Sequence, residues 1–185
     1  MAAEFPAFTT ARLKLDSLTA ADAPALYALL RNPEVTRYLS IDALASEQEA
    51  ADLLALHARE CAEWDEMRWA MRRAHDGHLI GTISLNGGHS ALRRAEVGYV
   101  VAREQWRQGY AREAIKAVLA YAFGPLQLNR VEALVYAENE PSRALLRSLG
   151  FVEEGYLREH AWEKGRFWDD VIYALLARDY AGVSA

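Results

Sequence analysis

The stretch Arg103-Glu104-Gln105-Trp106-Arg107-Gln108-Gly109-Tyr110-Ala111-Arg112-Glu113-Ala114-Ile115 decides how the rest of the chain reads. Ahead of it, Ala95-Glu96-Val97-Gly98-Tyr99-Val100-Val101 is β-branched and alternating, the pattern of a strand. Behind it, Ala114, Ile115, Val118, Leu119, Ala122 and Phe123 recur at helical spacing from Tyr110 until Gly124-Pro125 ends the run. Between strand and helix lies a polar loop with one glycine, Gly109. That order predicts an anion site, because the first-turn N–H groups of a helix lack internal partners and the macrodipole adds positive potential there.

Downstream, Arg130 to Tyr136 reads as a further strand, parallel to the one before the loop if the unit is a right-handed βαβ. A short helix is expected from Pro141, with Asn139 near its cap and Gly150 at its end. Val152 to Trp162 and Phe167 to Leu176 bracket Glu163-Lys164-Gly165-Arg166, a closing hairpin. Upstream, Met1 to Thr10 reads as an irregular lead-in and Arg12 to Asp16 as the first strand. Thr19 caps a helix carrying Ala25, Leu26, Leu29 and Leu30 that stops near Asn32-Pro33. Ser46, with Glu49 three residues on, has capping-box spacing for a second helix whose face is Leu53, Leu54, Leu56, His57, Cys61 and Trp64. Arg68 to Arg73 and Leu79 to Leu85 flank Asp76-Gly77, a hairpin signal, and Asn86-Gly87-Gly88 makes another turn. No repeat, low-complexity run or linker divides the chain, so one domain over residues 10–180 is expected. Its class is α/β with a sheet of mixed direction.

At 185 residues such a domain buries about 70% of the surface its unfolded chain would expose. Cys61 is the lone cysteine, which excludes an intrachain disulfide and suits a reducing compartment. The Met1 region has neither a basic nor an apolar leader pattern, and no apolar run approaches the roughly 20 residues of a membrane span. A cytoplasmic protein without a membrane partner is therefore expected. The net charge of −5 argues against broad nucleic-acid binding while leaving room for a local basic pocket.

Two segments resemble the GNAT acyl-CoA N-acyltransferases, and within them the RimJ/RimL-type branch that acetylates N-terminal amines of ribosomal proteins. The family loop reads Gln/Arg-x-x-Gly-x-Gly/Ala; Trp106-Arg107-Gln108-Gly109-Tyr110-Ala111 supplies the glycine and alanine, with Trp106 in the Gln/Arg place. Main-chain N–H groups do the cradling in such a loop, so the tryptophan leaves phosphate binding intact. The second segment, Asn139-Glu140-Pro141-Ser142-Arg143-Ala144-Leu145-Leu146-Arg147-Ser148-Leu149-Gly150-Phe151, is similar to the family's Asn-x-x-Ser stretch followed by Leu-Gly-Phe. The resemblance covers nearly the whole chain. It implies the GNAT fold, a mostly antiparallel central sheet with a parallel pair at the cofactor site, flanked by helices. It implies acetyl-CoA as co-substrate, no metal, and an amine acceptor.

Acyl transfer from a thioester needs a neutral amine, a polarised carbonyl and a stabilised leaving thiolate, and each need points to a residue. Alternation puts Glu96 on the same strand face as Gly98 and Val100, opposite Val97, Tyr99 and Val101. If that face opens on the cleft, Glu96 is the preferred general base, acting through water; a solvated strand carboxylate is the plain alternative. Backbone N–H groups of Tyr99, Val100 and Val101 are expected to hold the pantetheine arm and polarise the carbonyl. Many GNAT enzymes carry an acidic tyrosine four residues before the helix-terminal glycine; Leu146 stands there, and the resemblance marks Ser142 as the thiolate partner instead. Asn139 then binds the pantetheine or the amine, or simply caps the helix.

Because the protein is acidic, CoA binding needs a local field. Arg103, Arg107, Arg112, Arg143 and Arg147 are the candidates, beside Gln108, Gly109, Tyr110 and Ala111 of the loop. His75 with His78 lack the spaced cysteine or carboxylate partners of a metal site, and His57 with Cys61, at i, i+4 on one helix face, could ligate a metal, although core packing is the expected role. Trp162, Phe167 and Trp168 suit core, an acceptor-site wall or a dimer contact, so a homodimer stays open. The expected activity is direct transfer of acetyl to a protein N-terminal amine in a ternary complex. Acetylation of a polyamine, amino acid or antibiotic is the enzymic alternative, with pocket loops such as Arg31 to Ser46 setting the choice, and a catalytically silent acyl-CoA-binding module the non-enzymic one.

Overall fold

The computed structural model describes residues 5–63, 66–87 and 92–180. The chain runs β1 (Phe8–Thr9), β2 (Leu13–Ser17), α1 (Ala23–Leu30), α2 (Pro33–Thr36), α3 (Glu47–Glu63), β3 (Glu66–Arg73), β4 (Leu79–Asn86) and β5 (Arg94–Val101). It continues through α4 (Tyr110–Phe123), β6 (Arg130–Tyr136), α5 (Glu140–Ser148), β7 (Val152–Glu163) and β8 (Arg166–Leu176). The strands form one eight-stranded sheet in the order β1-β2-β3-β4-β5-β6-β8-β7. Every neighbouring pair is antiparallel except β5 and β6, which are parallel across α4 as the βαβ reading requires.

That parallel pair is short. Its register ends at Glu96 opposite Glu132, yet β5 stays paired with β4 out to Val101 and β6 stays paired with β8 out to Tyr136. The two strands therefore splay, leaving the β6-facing edge of Val97 to Val101 without a strand partner among the described residues.

Each face of the sheet carries its own core. Val97 and Val101 pack with Ile115, Val118 and Leu119 of α4 and with Leu146 of α5. Val100 lies on the other side, against the cluster of Leu26, Leu29, Leu30, Ala50 and Leu54. The alternation expected for β5 is thus the one observed. Close approach of β4 to β5 needs Gly81, where a Cβ would lie 2.3 Å from the Val100 carbonyl oxygen.

Some expectations change. The supposed irregular lead-in contains β1, because the fully buried Trp69 draws Phe5 and Phe8 onto its ring and donates its indole N–H to the Pro6 carbonyl at 2.7 Å. Asn32-Pro33 does not only stop α1: the Asn32 side chain accepts from the Glu34 N–H at 2.9 Å and starts α2. Thr19 precedes a 3-10 turn, with α1 beginning after Asp22. In α3 Ala50 and Leu54 are buried and Leu53 packs against the same cluster, as the predicted face requires, while Leu56 is exposed; Trp64 lies outside the described residues. Among the described residues no helix is long and apolar enough to cross a membrane.

Candidate active site

The loop between β5 and α4 is held by contacts on both sides. Its single 3-10 turn, Arg103–Gln105, ends at Trp106, whose indole N–H donates to the Val101 carbonyl at 2.7 Å. The residue in the Gln/Arg place of the family pattern is therefore a strut from loop to strand end. Gly109 is the N-cap of α4 at φ +82°, a left-handed conformation that side chains rarely adopt. A Cβ there would also sit 3.3 Å from Arg12 Nη2. Arg12 donates to the Gln108 carbonyl at 2.8 Å and pairs with Glu113 at 2.7 Å. No sequence signal linked Arg12, 96 residues from Gln108, to this loop.

The five candidate arginines separate by partner. Arg107, itself at φ +60°, makes no ion pair among the described residues. Arg103 pairs with Glu34 at 2.8 Å, and Arg112 donates to the Ser148 hydroxyl at 2.7 Å, tying α4 to the end of α5. Arg143 and Arg147 both donate to the Tyr173 hydroxyl at 3.2 Å and pair with Glu140, so the structure orients them along α5 toward β8.

Where β5 and β6 part, a cavity of about 410 Å³ opens. It brings together Glu96 and Tyr99 of β5 with Asn139 and Ser142 at the start of α5. Asn139 caps that helix through its side-chain oxygen, which accepts from the Ser142 N–H at 3.3 Å. The Tyr99 and Ser142 hydroxyls share a hydrogen bond of 2.7 Å. Leu146, in the place of the family's tyrosine, is fully buried in the core. Glu96 is half-buried, and burial, reinforced by the charges of Glu132 and Asp170, pushes its carboxyl above the usual range. Burial likewise raises the Tyr99 phenol and keeps it protonated.

The far walls of the cavity come from the stretch between α1 and α3 and from the closing hairpin, two regions the sequence offered for the acceptor side, though not through these residues. Tyr38, Leu39 and Ser40 come from the segment after α2, and Tyr136, His160, Glu163 and Asp170 from β6 and the closing hairpin. Asp170 is only 3% exposed and accepts from His160 Nδ1 at 2.8 Å. The Tyr136 hydroxyl donates to Glu163, and its ring stacks on Trp168 with centroids 4.6 Å apart. Lys164 donates to the Thr36 carbonyl and Tyr38 to the Glu138 carbonyl, so hairpin tip and α2 segment roof the cavity. The one available signal was Asp170 itself, a carboxylate at the edge of the apolar run Val171-Ile172-Tyr173. Of the three hairpin aromatics, Trp168 is buried beside the cavity, while Trp162 and Phe167 are exposed and pack on each other at 4.6 Å.

An open strand edge thus lies beside a glycine-capped helix N-terminus, with a carboxylate and two hydroxyls at the fork. The sequence matches the Acetyltransferase (GNAT) domain family over residues 12–152. The chain belongs to the GNAT acetyltransferase family. Among its relatives is the uncharacterized N-acetyltransferase YoaA of Bacillus subtilis, 37% identical over 93% of this chain and 97% of that protein. Among solved structures, the spermidine N-acetyltransferase from Vibrio cholerae in complex with CoA and spermine superposes with a TM-score of 0.81 at 29% identity. That alignment covers 92% of this GNAT chain and 99% of the other. Mycobacterium smegmatis RimJ in complex with CoA-disulfide superposes with a TM-score of 0.83 at 25% identity, over 91% of this chain and 84% of its own. The mixed α/β GNAT fold with one parallel pair is thus observed.

Other titratable groups of this GNAT chain lie elsewhere. His57 Nδ1 is 3.2 Å from Glu60 and 3.5 Å from Glu66, and Arg68 pairs with the same Glu66. Cys61 is not among the cavity residues, and burial raises its thiol above the ordinary range, which disfavours thiolate chemistry. His75 lies by Asp76 at the β3–β4 turn.

Proposed function

We propose that this GNAT acetyltransferase transfers acetyl from acetyl-CoA directly to a primary amine held in the cavity at the β5–β6 fork. The observation that carries the reading is the meeting of Glu96, Tyr99, Asn139 and Ser142 at the place where β5 loses its partner, one loop away from the Gly109 cap of α4. The N-terminus of α4, with Arg107 and Arg12 beside it, holds the phosphates, together with Gln108, Tyr110, Ala111 and Arg112. The open edge of Tyr99 to Val101 binds the pantetheine and polarises the thioester carbonyl. Glu96 takes the amine's proton, and Ser142 stands by the leaving sulfur. Arg147 serves the cofactor only through its hold on α5, since its guanidinium is engaged by Glu140 and Tyr173.

The acceptor proposed first is a protein N-terminal amine. An α-amine of pKa ~8 is ~10% neutral at pH 7, whereas an alkyl amine at ~10.4 is ~0.04% neutral, so a half-buried carboxylate suffices for the former. The relation to RimJ agrees with this. A specific observation favours a second reading, a small amine with more than one cationic nitrogen. Glu96, Glu163 and Asp170 line the cavity, while among the described residues no lysine or arginine does. The spermidine N-acetyltransferase among the solved structures bears on that reading.

Release of CoA thiol from acetyl-CoA, measured with N-terminal peptides in one arm and diamines and polyamines in the other, tests both. Turnover with peptides alone supports the first acceptor, and turnover with polyamines alone supports the second. Absence of acetyl-CoA binding at millimolar concentration by calorimetry sinks the cofactor assignment altogether.

A further inference from the structure

We infer that Tyr99 is a positioning residue for the leaving group: its phenol donates to Ser142 Oγ and thereby turns the serine's own O–H toward the departing thioester sulfur. The inference rests on the proposed acetyl transfer. It stands on the 2.7 Å contact between the two hydroxyls, on their shared position in the cavity wall, and on the fact that among the described residues neither has another side-chain hydrogen-bond partner.

The direction follows from the chemistry of the third atom. A thioester sulfur, and still more a thiolate, only accepts hydrogen bonds. With sulfur beside Ser142, both hydroxyls are used only if serine donates to sulfur and tyrosine donates to serine. The reverse order points the phenol proton away and leaves sulfur without a donor. Two features fix the pair in place. The Asn139 cap accepts from the Ser142 N–H and sets the first turn of α5, while Tyr99 sits on a strand paired with β4 on its other side. Burial also keeps the phenol in its donor form.

A serine hydroxyl is too weak an acid to surrender its proton, and it need not. As the N–C bond forms and the C–S bond breaks, the electron pair passes to sulfur, and the amine's surplus proton passes to Glu96. The thiolate leaves as a hydrogen-bond acceptor and takes a proton from water. Glu96 returns one to water, so charge and protons balance. A chain of two hydroxyls strengthens the terminal donor, because each hydrogen bond polarises the next.

The test is a double-mutant cycle on the full chain with the best amine found. Tyr99→Phe should lower kcat about 5–20-fold, with KM for acetyl-CoA changed less than twofold. Ser142→Ala should lose at least as much, and Tyr99→Phe added to Ser142→Ala should cost nothing further, since the phenol acts through the serine. Losses that multiply in the double variant overturn the inference, as does a Tyr99→Phe enzyme with unchanged kcat. If Tyr99→Phe melts early, Ser142→Gly in place of Ser142→Ala and 3-fluorotyrosine at position 99 read the same coupling without removing the phenol; a kcat insensitive to the fluorine in both backgrounds overturns it too. Acetyl-CoA binding and wild-type turnover are measured alongside, so failure of the acetyl-transfer reading shows as an inactive wild type, whereas failure of this inference shows as an active wild type without coupling.

Discussion

The loop at residues 103–112 and the acceptor-side cavity meet at one strand, and they are built by opposite means. The loop is contiguous: it consists of one turn, one left-handed glycine and the first N–H groups of α4, and most of its side chains are exposed. The cavity draws on four separated segments, with Tyr38 to Ser40, Glu96 to Tyr99, Ala133 to Ser142 and His160 to Asp170 all contributing. The loop offers backbone dipoles and accommodates Trp106 as a strut to Val101. The cavity works with side-chain charge, which depends on who is buried beside whom. Changes to the cavity should therefore alter rate, pH profile and acceptor choice, and changes to the loop should alter cofactor affinity alone.

The largest separation of the two is expected from Glu96→Gln. On an alkyl diamine at pH 7 its rate should fall about 10²–10⁴-fold, on an α-amine peptide much less, with acetyl-CoA affinity by calorimetry unchanged. If no active substrate loses rate, Glu96 is not the base. The same variant should melt higher than wild type at pH 8. A carboxyl whose folded pKa is raised costs nothing when protonated in both states, and its cost grows as pH climbs from the unfolded value through the folded one.

Next comes the loop. Gly109→Val forces a β-branched residue to φ +82° with a Cβ beside Arg12, a strain of about 1–3 kcal/mol. If that strain falls on the bound geometry, the acetyl-CoA Kd rises about 10–100-fold while acceptor preference among bound-state turnovers is kept. A shifted acceptor preference would break the division drawn between the two regions.

Asp170→Asn acts within the cavity at a smaller scale. Asp170 raises Glu96, so its neutralisation should move the acid limb of kcat/KM to lower pH, and it should raise KM more for a dication than for a monocationic amine. A pH profile that stays fixed would mean that Asp170 does not act on the carboxyl at Glu96. The smallest effect belongs to Arg12→Gln. Its pair with Glu113 is half-exposed, and such pairs contribute about 0.2–1 kcal/mol, so the acetyl-CoA Kd should rise about two- to fivefold.

How much of this was legible beforehand follows from the range of the interactions. The βαβ unit, the glycine cap of α4, the Asn139 cap of α5 and the closing hairpin are set by neighbours within a few residues, and their bounds fell within about two residues of the patterns. Glu96's face was legible because alternation in β5 is a two-residue rule. β1 was not, since two residues carry no periodicity and their order comes from Trp69, far along the chain. Arg143 and Arg147 were legible as charges and not as partners of Tyr173, because partners on β8 are chosen by packing.

The sequence by itself determined the order of elements, the turn with its glycine ahead of α4 and the face on which Glu96 lies, since those are local backbone and residue-type statements. Only the tertiary structure decided that β5 and β6 part after Glu96, that Tyr99 reaches Ser142, that Arg12 leans on the loop, and that Glu163 and Asp170 face the fork. The physical reason is that a cleft and its electrostatics are properties of surfaces brought together from distant segments. Their distances, and the dielectric between them, do not exist until the sheet is assembled.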